Sequence, residues 1–115
     1  MTDPRTLPPT DEPVVVWTTW PDAARAAAGA RMLVERRLAA CVVTSAPVRS
    51  VYRWQGEVEE AEEVVTLAKT TRTRADAVLA ALREIHPYEV PALLVLPVAA
   101  DPAYAAWIAS ETASP

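Results

Sequence analysis

Hydrophobic and polar positions change period several times along the chain, and each change marks an element. Val14 to Thr19, "VVVWTT", is β-branched and apolar, the composition of a buried strand. In "TWPD", Thr19 is expected as a helix N-cap, with Asp22 at the capping-box position and Pro21 in the first turn. The helix is expected to run to about Leu38. Ala26, Ala30, Leu33, Val34 and Leu38 then share one face, with Arg25, Glu35 and Arg36 away from it.

From Cys41 onward the period falls to two. Two strand-like stretches flank "WQGE", residues 54–57, and Gly56 marks the turn of a hairpin. Ser50, Tyr52 and Trp54 alternate with Arg49, Val51 and Arg53. On the return, Val65, Leu67 and Lys69 alternate with Val64, Thr66 and Ala68. Both strands are longer than usual, and Pro47 predicts a bend or bulge in the first. A hairpin this long projects from a small domain, and its edges need cover.

Helical spacing returns in "TRADAVLAALREI", where Val78, Ala81, Leu82 and Ile85 form the apolar face. Thr73 is the expected cap, Asp76 completes the box, and Pro87 is the stop. "VPALLVLPVA" is apolar on both faces and predicts a central strand. Asp101 and Pro102 open a short last helix whose stripe is Tyr104, Trp107 and Ile108.

This order predicts an α+β, ferredoxin-like βαββαβ sandwich with an antiparallel sheet, a long β-hairpin arm and a short C-terminal helix. Both long helices should cover one sheet face. The other face is apolar yet bare, so other subunits are the natural cover. The opening "MTDPRTLPPTDEP" is rich in Pro and Asp, which predicts a disordered tail over residues 1–12 and a single domain over residues 13–112.

Composition narrows the function classes. At 115 residues the chain suits one core. A net charge of -4 argues against a nucleic-acid partner, which wants a concentrated basic face. The longest apolar run, Ala92 to Ala100, is too short for a bilayer and contains Pro97. The N-terminal segment has no apolar stretch of the secretory kind. One Cys cannot form an internal disulfide. The expected location is the cytoplasm, with no membrane partner.

Candidate chemistry centres on "IHPYEVP", residues 85–91, which holds the only His, His86. Imidazole binds metals, moves protons or packs, and the two prolines make the segment a rigid corner first. Cys41 is expected as a small buried hydrophobe. Glu57, Glu59, Glu60, Glu62 and Glu63 crowd seven positions. On a strand, Glu57, Glu59 and Glu63 share one face, a spread row rather than the converging oxygens of a hard-cation site. Lys69 is the only Lys beside ten Arg. No nucleophile signature, phosphate loop or zinc motif is present, so no enzyme is expected. Acylphosphatases share the fold class but use an Asn beside an Arg, and the chain has no Asn.

Taken together and in order, "RLAACVV", "VYRWQGEVEEAEEV", "LAKTT" and "HPYEVPALLVLPV" resemble the CutA family of divalent-cation tolerance proteins. The resemblance spans about residues 14–108. It implies a homotrimer in which the hairpin arm of one subunit extends the sheet of the next, an assembly like that of the PII signal proteins. It also implies a ligand cleft between subunits holding Tyr52, Trp54, Lys69, His86 and Tyr88, with Glu59 and Glu63 at positions where the family carries Glu. Glu63 and Lys69 are expected to be able to pair there. The copper site proposed in some members, one Cys and two adjacent His, maps to Thr18, Ile85 and His86. Only His86 keeps a ligand, so Cu2+ or another divalent cation is expected to bind weakly if at all. Two readings stand. One is a trimer contributing to metal tolerance through weak metal or small-ligand binding. The other is a PII-like signalling or scaffold trimer acting through a protein partner.

Overall fold

The computed structural model describes residues 11–113. β1 (Pro13–Trp20), α1 (Ala23–Glu35), β2 (Cys41–Thr44), β3 (Val48–Trp54), β4 (Glu57–Thr71), α2 (Arg72–Ile85), β5 (Leu94–Pro97) and α3 (Pro102–Glu111) follow in chain order. The sheet order is β2-β4-β1-β5, with β3 also paired to β4 and every pairing antiparallel. This is the ferredoxin-like α+β arrangement. Residues 1–10 of the expected tail lie outside the described residues. Glu12 is tied down, since its carbonyl accepts from the Arg72 amide at 3.1 Å and its carboxylate lies 3.4 Å from the Arg72 guanidinium.

β4 is the spine. Its second half pairs with β1 on one side and β2 on the other, while its first half pairs only with β3 and projects as the arm. The break between β2 and β3 falls at residues 45–47, where Pro47 withholds an amide. Gln55 and Gly56 both have positive φ, 51° and 84°, as a tight two-residue hairpin turn requires.

Register sorts the side chains onto two faces. Val14, Val16, Thr18 and Trp20 of β1 and Val64, Thr66, Ala68 and Thr70 of β4 face the helices and are buried. They pack on Ala26 and Leu33 of α1 and on Val78, Ala81 and Leu82 of α2. The opposite face carries Leu94, Trp17, Leu67 and Val43 in one cross-strand row, and Leu96, Val15, Lys69 and Cys41 in the next. Leu94, Leu96 and Val43 are each more than 40% exposed, so this face is an apolar surface.

Four expected boundaries or positions are corrected. Asp22, not Thr19, caps α1, its carboxylate accepting from the Arg25 amide at 2.8 Å; Thr19 stays in β1. α1 ends at Glu35 rather than Leu38. Arg37 turns left-handed (φ 58°), and the amides of Leu38 and Arg37 bond back to the Leu33 and Val34 carbonyls. That helix stop usually takes Gly, and here an Arg adopts it. Thr71, not Thr73, is the N-cap of α2, and its side chain makes no capping bond. β5 is an edge strand rather than a central one: it pairs only with β1, and its two-sided apolarity belongs to the open face and border.

Gly29 on α1 lies flat against the Trp20 ring. A Cβ added there meets Cη2 and Cζ2 of that ring at 2.7 Å. Helix propensity favours Gly29→Ala by about 1 kcal/mol, whereas overpacking a rigid buried ring costs about 1–3 kcal/mol. The variant is expected to unfold at lower denaturant concentration than wild type, in an equilibrium urea titration, despite its better helix former.

Candidate functional site

The site begins at the corner after α2. Pro87 excludes helical geometry from the residue before it, and His86 is extended (φ -72°, ψ 131°). This turns its ring back over Trp20, with centroids 4.4 Å apart and planes 18° from parallel. His86 Nε2 lies 2.8 Å from the Thr19 carbonyl, and the Tyr88 amide donates to Nδ1 at 3.2 Å. A carbonyl only accepts and an amide only donates. The ring is therefore neutral, with its proton on Nε2 and both nitrogens engaged by backbone.

The corner delivers Tyr88 to Glu63 of β4. The Tyr88 hydroxyl donates to Glu63 Oε2 at 2.7 Å, and the Ser50 and Thr19 hydroxyls beside it also favour the charged carboxylate. Glu63 is only 7% exposed. Burial opposes its ionisation, but Ser50, Tyr88 and Thr19, with the nearby His86, outweigh burial and hold it below the ordinary 4.5. Tyr88 moves the other way: burial first, then the bond to Glu63, raises its hydroxyl well above the ordinary value. The result is a neutral phenol donating to a fixed anion.

Glu63 lines a cavity of about 590 Å³. Its walls come from the end of β1 (Trp17, Thr19), the arm (Ser50, Tyr52, Trp54, Glu59) and the corner segment from Pro87 to Ala92. Tyr52 faces Glu59 across the hairpin and hydrogen-bonds to it. Four aromatic rings and three carboxylates, Glu59, Glu63 and Glu89, thus share one concavity, the composition of a small-ligand site.

Of the seven residues expected in a cleft, the structure brings five together: Tyr52, Trp54, Glu59, Glu63 and Tyr88. His86 stands behind the wall and braces it. Lys69 lies elsewhere in the chain and does not pair with Glu63 within it. The two are six residues apart on β4, about 20 Å along an extended strand. Lys69 Nζ donates instead to the Tyr104 hydroxyl at 3.0 Å, in a second, smaller hollow with Val15 and Ile108. Trp17 and Thr19 were missed because "VVVWTT" was treated as buried throughout and Thr19 as a cap. Period two places Trp17 with Val15 on the open face, and that was the available signal. Ser50 shares its alternation with Tyr52 and Trp54.

The copper set that the resemblance implies does not fit the donors present. Thr18 Oγ1 does lie 3.5 Å from His86 Nε2, so the positions adjoin. Yet Thr18 offers a hydroxyl in place of a thiolate, Ile85 offers no donor, and both His86 nitrogens are committed; a soft site wants thiolate and free imidazole. Cys41 cannot substitute. It sits opposite Lys69, on the face of the sheet away from Thr18, and is half-buried rather than buried. Among the described residues no three His, Cys, Asp or Glu are grouped to hold a metal ion.

Burial lowers the proton affinity of His86 below its ordinary 6.5, against the smaller opposing pull of the Thr19 carbonyl and Glu63. The unfolded chain then binds more protons than the fold in this range. The stabilisation is complete above about pH 6.5 and is lost as pH falls through the lowered folded value. Thermal midpoints measured downward from neutral pH should decline in this window for wild type. They should stay flatter for His86→Phe, which keeps the ring stack but starts about 1–3 kcal/mol less stable through its unpaired backbone groups.

Comparison with known proteins agrees with the fold described. A family model described as CutA1 divalent ion tolerance protein matches residues 14–111. The divalent-cation tolerance protein CutA of Pectobacterium atrosepticum is 43% identical over 101 residues, 87% of this chain and 92% of that protein. Mouse Protein CutA is 41% identical over 86 residues, 74% of this chain and 49% of that longer protein. The crystal structure of CutA from Xylella fastidiosa superimposes with a TM-score of 0.86 at 35% identity, covering 89% of this chain and 99% of that one. The divalent cation tolerance protein from Thermus thermophilus gives 0.85 at 39% identity, covering 88% and 99%. A further neighbour, from Archaeoglobus fulgidus, is described as periplasmic. No described helix is long and apolar enough to cross a membrane. The chain belongs to the CutA1 divalent ion tolerance protein family.

Proposed function

We propose that this protein contributes to divalent-metal tolerance as a cytoplasmic homotrimer, through weak cation or small-ligand binding in the Glu63 cavity at the subunit boundaries. It acts by binding and carries no catalytic centre. The observation that carries this reading is the continuity of the open sheet face with the cavity. Trp17 belongs to both: it stands between Leu67 and Leu94 in the apolar row and lines the cavity wall. A second copy that covers the row necessarily borders the site. Tyr52 and Trp54 on the arm remain 40% and 38% exposed in the single chain, as aromatics awaiting an interface do. The trimeric state is the one the family resemblance implies, and the single Cys41 suits a reducing cytoplasm.

Copper enters this reading only as a weakly held cation reached through Glu59 or Glu63 oxygens. The engagement of both His86 nitrogens favours a second reading, a PII-like signalling or scaffold trimer whose link to metals runs through a protein partner. Calorimetry with Cu2+ and Zn2+ separates the two. Weak heats lost in Glu63→Gln support cation binding at the cavity. The absence of heat supports the second reading.

Light scattering after size exclusion should give three times the 12.4 kDa chain mass for wild type. Leu94→Glu places a charge at a position 50% exposed in the single chain, beside Trp17 in the apolar row of the open face. It should shift the mass toward one chain while leaving the circular dichroism spectrum unchanged. A wild-type mass of one chain would overturn the assembly and the boundary placement of the cavity together.

A further inference from the structure

We propose that the cavity takes a small organic cation, an alkylammonium or quaternary ammonium group, seated on Glu63 and walled by Trp17, Tyr52, Trp54 and Tyr88; this rests on the reading of the cavity as the ligand site. The argument begins with charge. Glu63 is 7% exposed, its hydrogen-bond partner Tyr88 is a neutral donor, and the Ser50 and Thr19 hydroxyls that also favour its charge are neutral too. Among the described residues no Lys or Arg forms an ion pair with it. These surroundings keep Glu63 an anion, and among the described residues no Lys or Arg offsets its negative charge beside the cavity. The cavity is the side from which a counter-charge can reach it.

The walls say what kind of cation fits. Aromatic faces attract cations, most strongly those that shed water easily, and bulky ammonium groups do so far more readily than metal ions. A cavity of about 590 Å³ lies in the small-ligand range. Hard metal ions need six or more converging oxygens. Glu59 and Glu63 are four residues apart on β4, about 13 Å between their Cα atoms, so they do not chelate one ion in common. Tyr52 also holds Glu59 at the hairpin. Soft metals want imidazole or thiolate, and His86 is committed to Thr19 and Tyr88. Glu63 is then the anchoring charge, the rings are the selective walls, and Glu59 is a second carboxylate for the tail of the ligand.

Choline and its neutral isostere dimethylbutanol are the probes. Each is titrated into the full chain at neutral pH, with calorimetry and Trp fluorescence as readouts; Trp17 and Trp54 report from the cavity itself. Choline should bind about tenfold or more tighter than the neutral isostere. Glu63→Gln should erase that preference. Trp54→Ala, at an exposed arm position outside the core, should weaken choline with the fold intact, which keeps the test decisive if Glu63→Gln fails to fold. Equal binding of both probes would overturn the inference, as would a preference that survives Glu63→Gln. So would an assembled protein that ignores choline but gives Glu63-dependent heat with Zn2+, and that result leaves the metal-tolerance reading standing. A one-chain mass with no heat from either cation would remove both.

Discussion

The packing of Trp20 between Gly29 and His86 is the constraint on which the rest of the molecule depends. On one side the indole presses on the α1 backbone, where only a residue without Cβ leaves room. On the other it stacks on the imidazole at 4.4 Å. Its Nε1–H donates to Thr66 Oγ1 at 2.9 Å, which fixes the ring in its plane. One side chain thereby ties β1, α1, β4 and the corner after α2 together. The buried N–H has its partner, so the large apolar gain of the indole is kept without an unpaired donor. Because His86 is held by this stack, Tyr88 two residues later has one place to go, and that place is Glu63.

This explains why the only histidine serves structure before chemistry. Ring stacking, the Thr19 carbonyl and the Tyr88 amide together use every surface of His86 that a metal would need. A metal-binding imidazole keeps one nitrogen free and lets the second shell orient the other. Here backbone groups take both. The fixed charge nearby is Glu63, whose ionised form is favoured by neutral groups from three segments: Thr19 of β1, Ser50 of the arm and Tyr88 of the corner. The family blocks "HPYEVP" and "VYRWQGEVEEAEEV" therefore meet through the Tyr88–Glu63 hydrogen bond, although 25 positions separate the two residues in the chain.

Much of this was legible before the structure, and the failures have physical causes. The order of elements, the hairpin and its turn at Gly56 followed from periodicity and from the need for positive φ. The break near Pro47 followed from its missing amide. Helix ends were misplaced where side chains of similar chemistry compete. Thr19, Asp22, Thr71 and Thr73 are all plausible caps, and only backbone geometry selects among them. The left-handed stop at Arg37 carries no Gly, so no local signal announced it. β5 looked central because apolar residues on both faces mean burial in a single chain, whereas here they mark an edge and an open face. Five of the seven positions named from the family pattern meet in one cavity. Lys69 was not separable from them, because a motif gives residue types in order and only register shows that β4 carries Glu63 and Lys69 to opposite ends of one face.

The length of β4 places the cavity next to the open face. A strand of 15 residues is far longer than the four-residue β2 and β5 beside it, so half of it stands outside the sheet of its own chain. The cavity lies where the two halves meet: Thr19 pairs with Val65 in the sheet, while Ser50 and Tyr52 pair with Ala61 and Glu59 in the arm. A bend of the arm at that junction would change the distance between Trp54 and Tyr88 and with it the shape of the site. A second copy on the open face and a ligand in the cavity, both proposed above, would meet at this junction, because Trp17 stands in the apolar row and in the cavity wall alike.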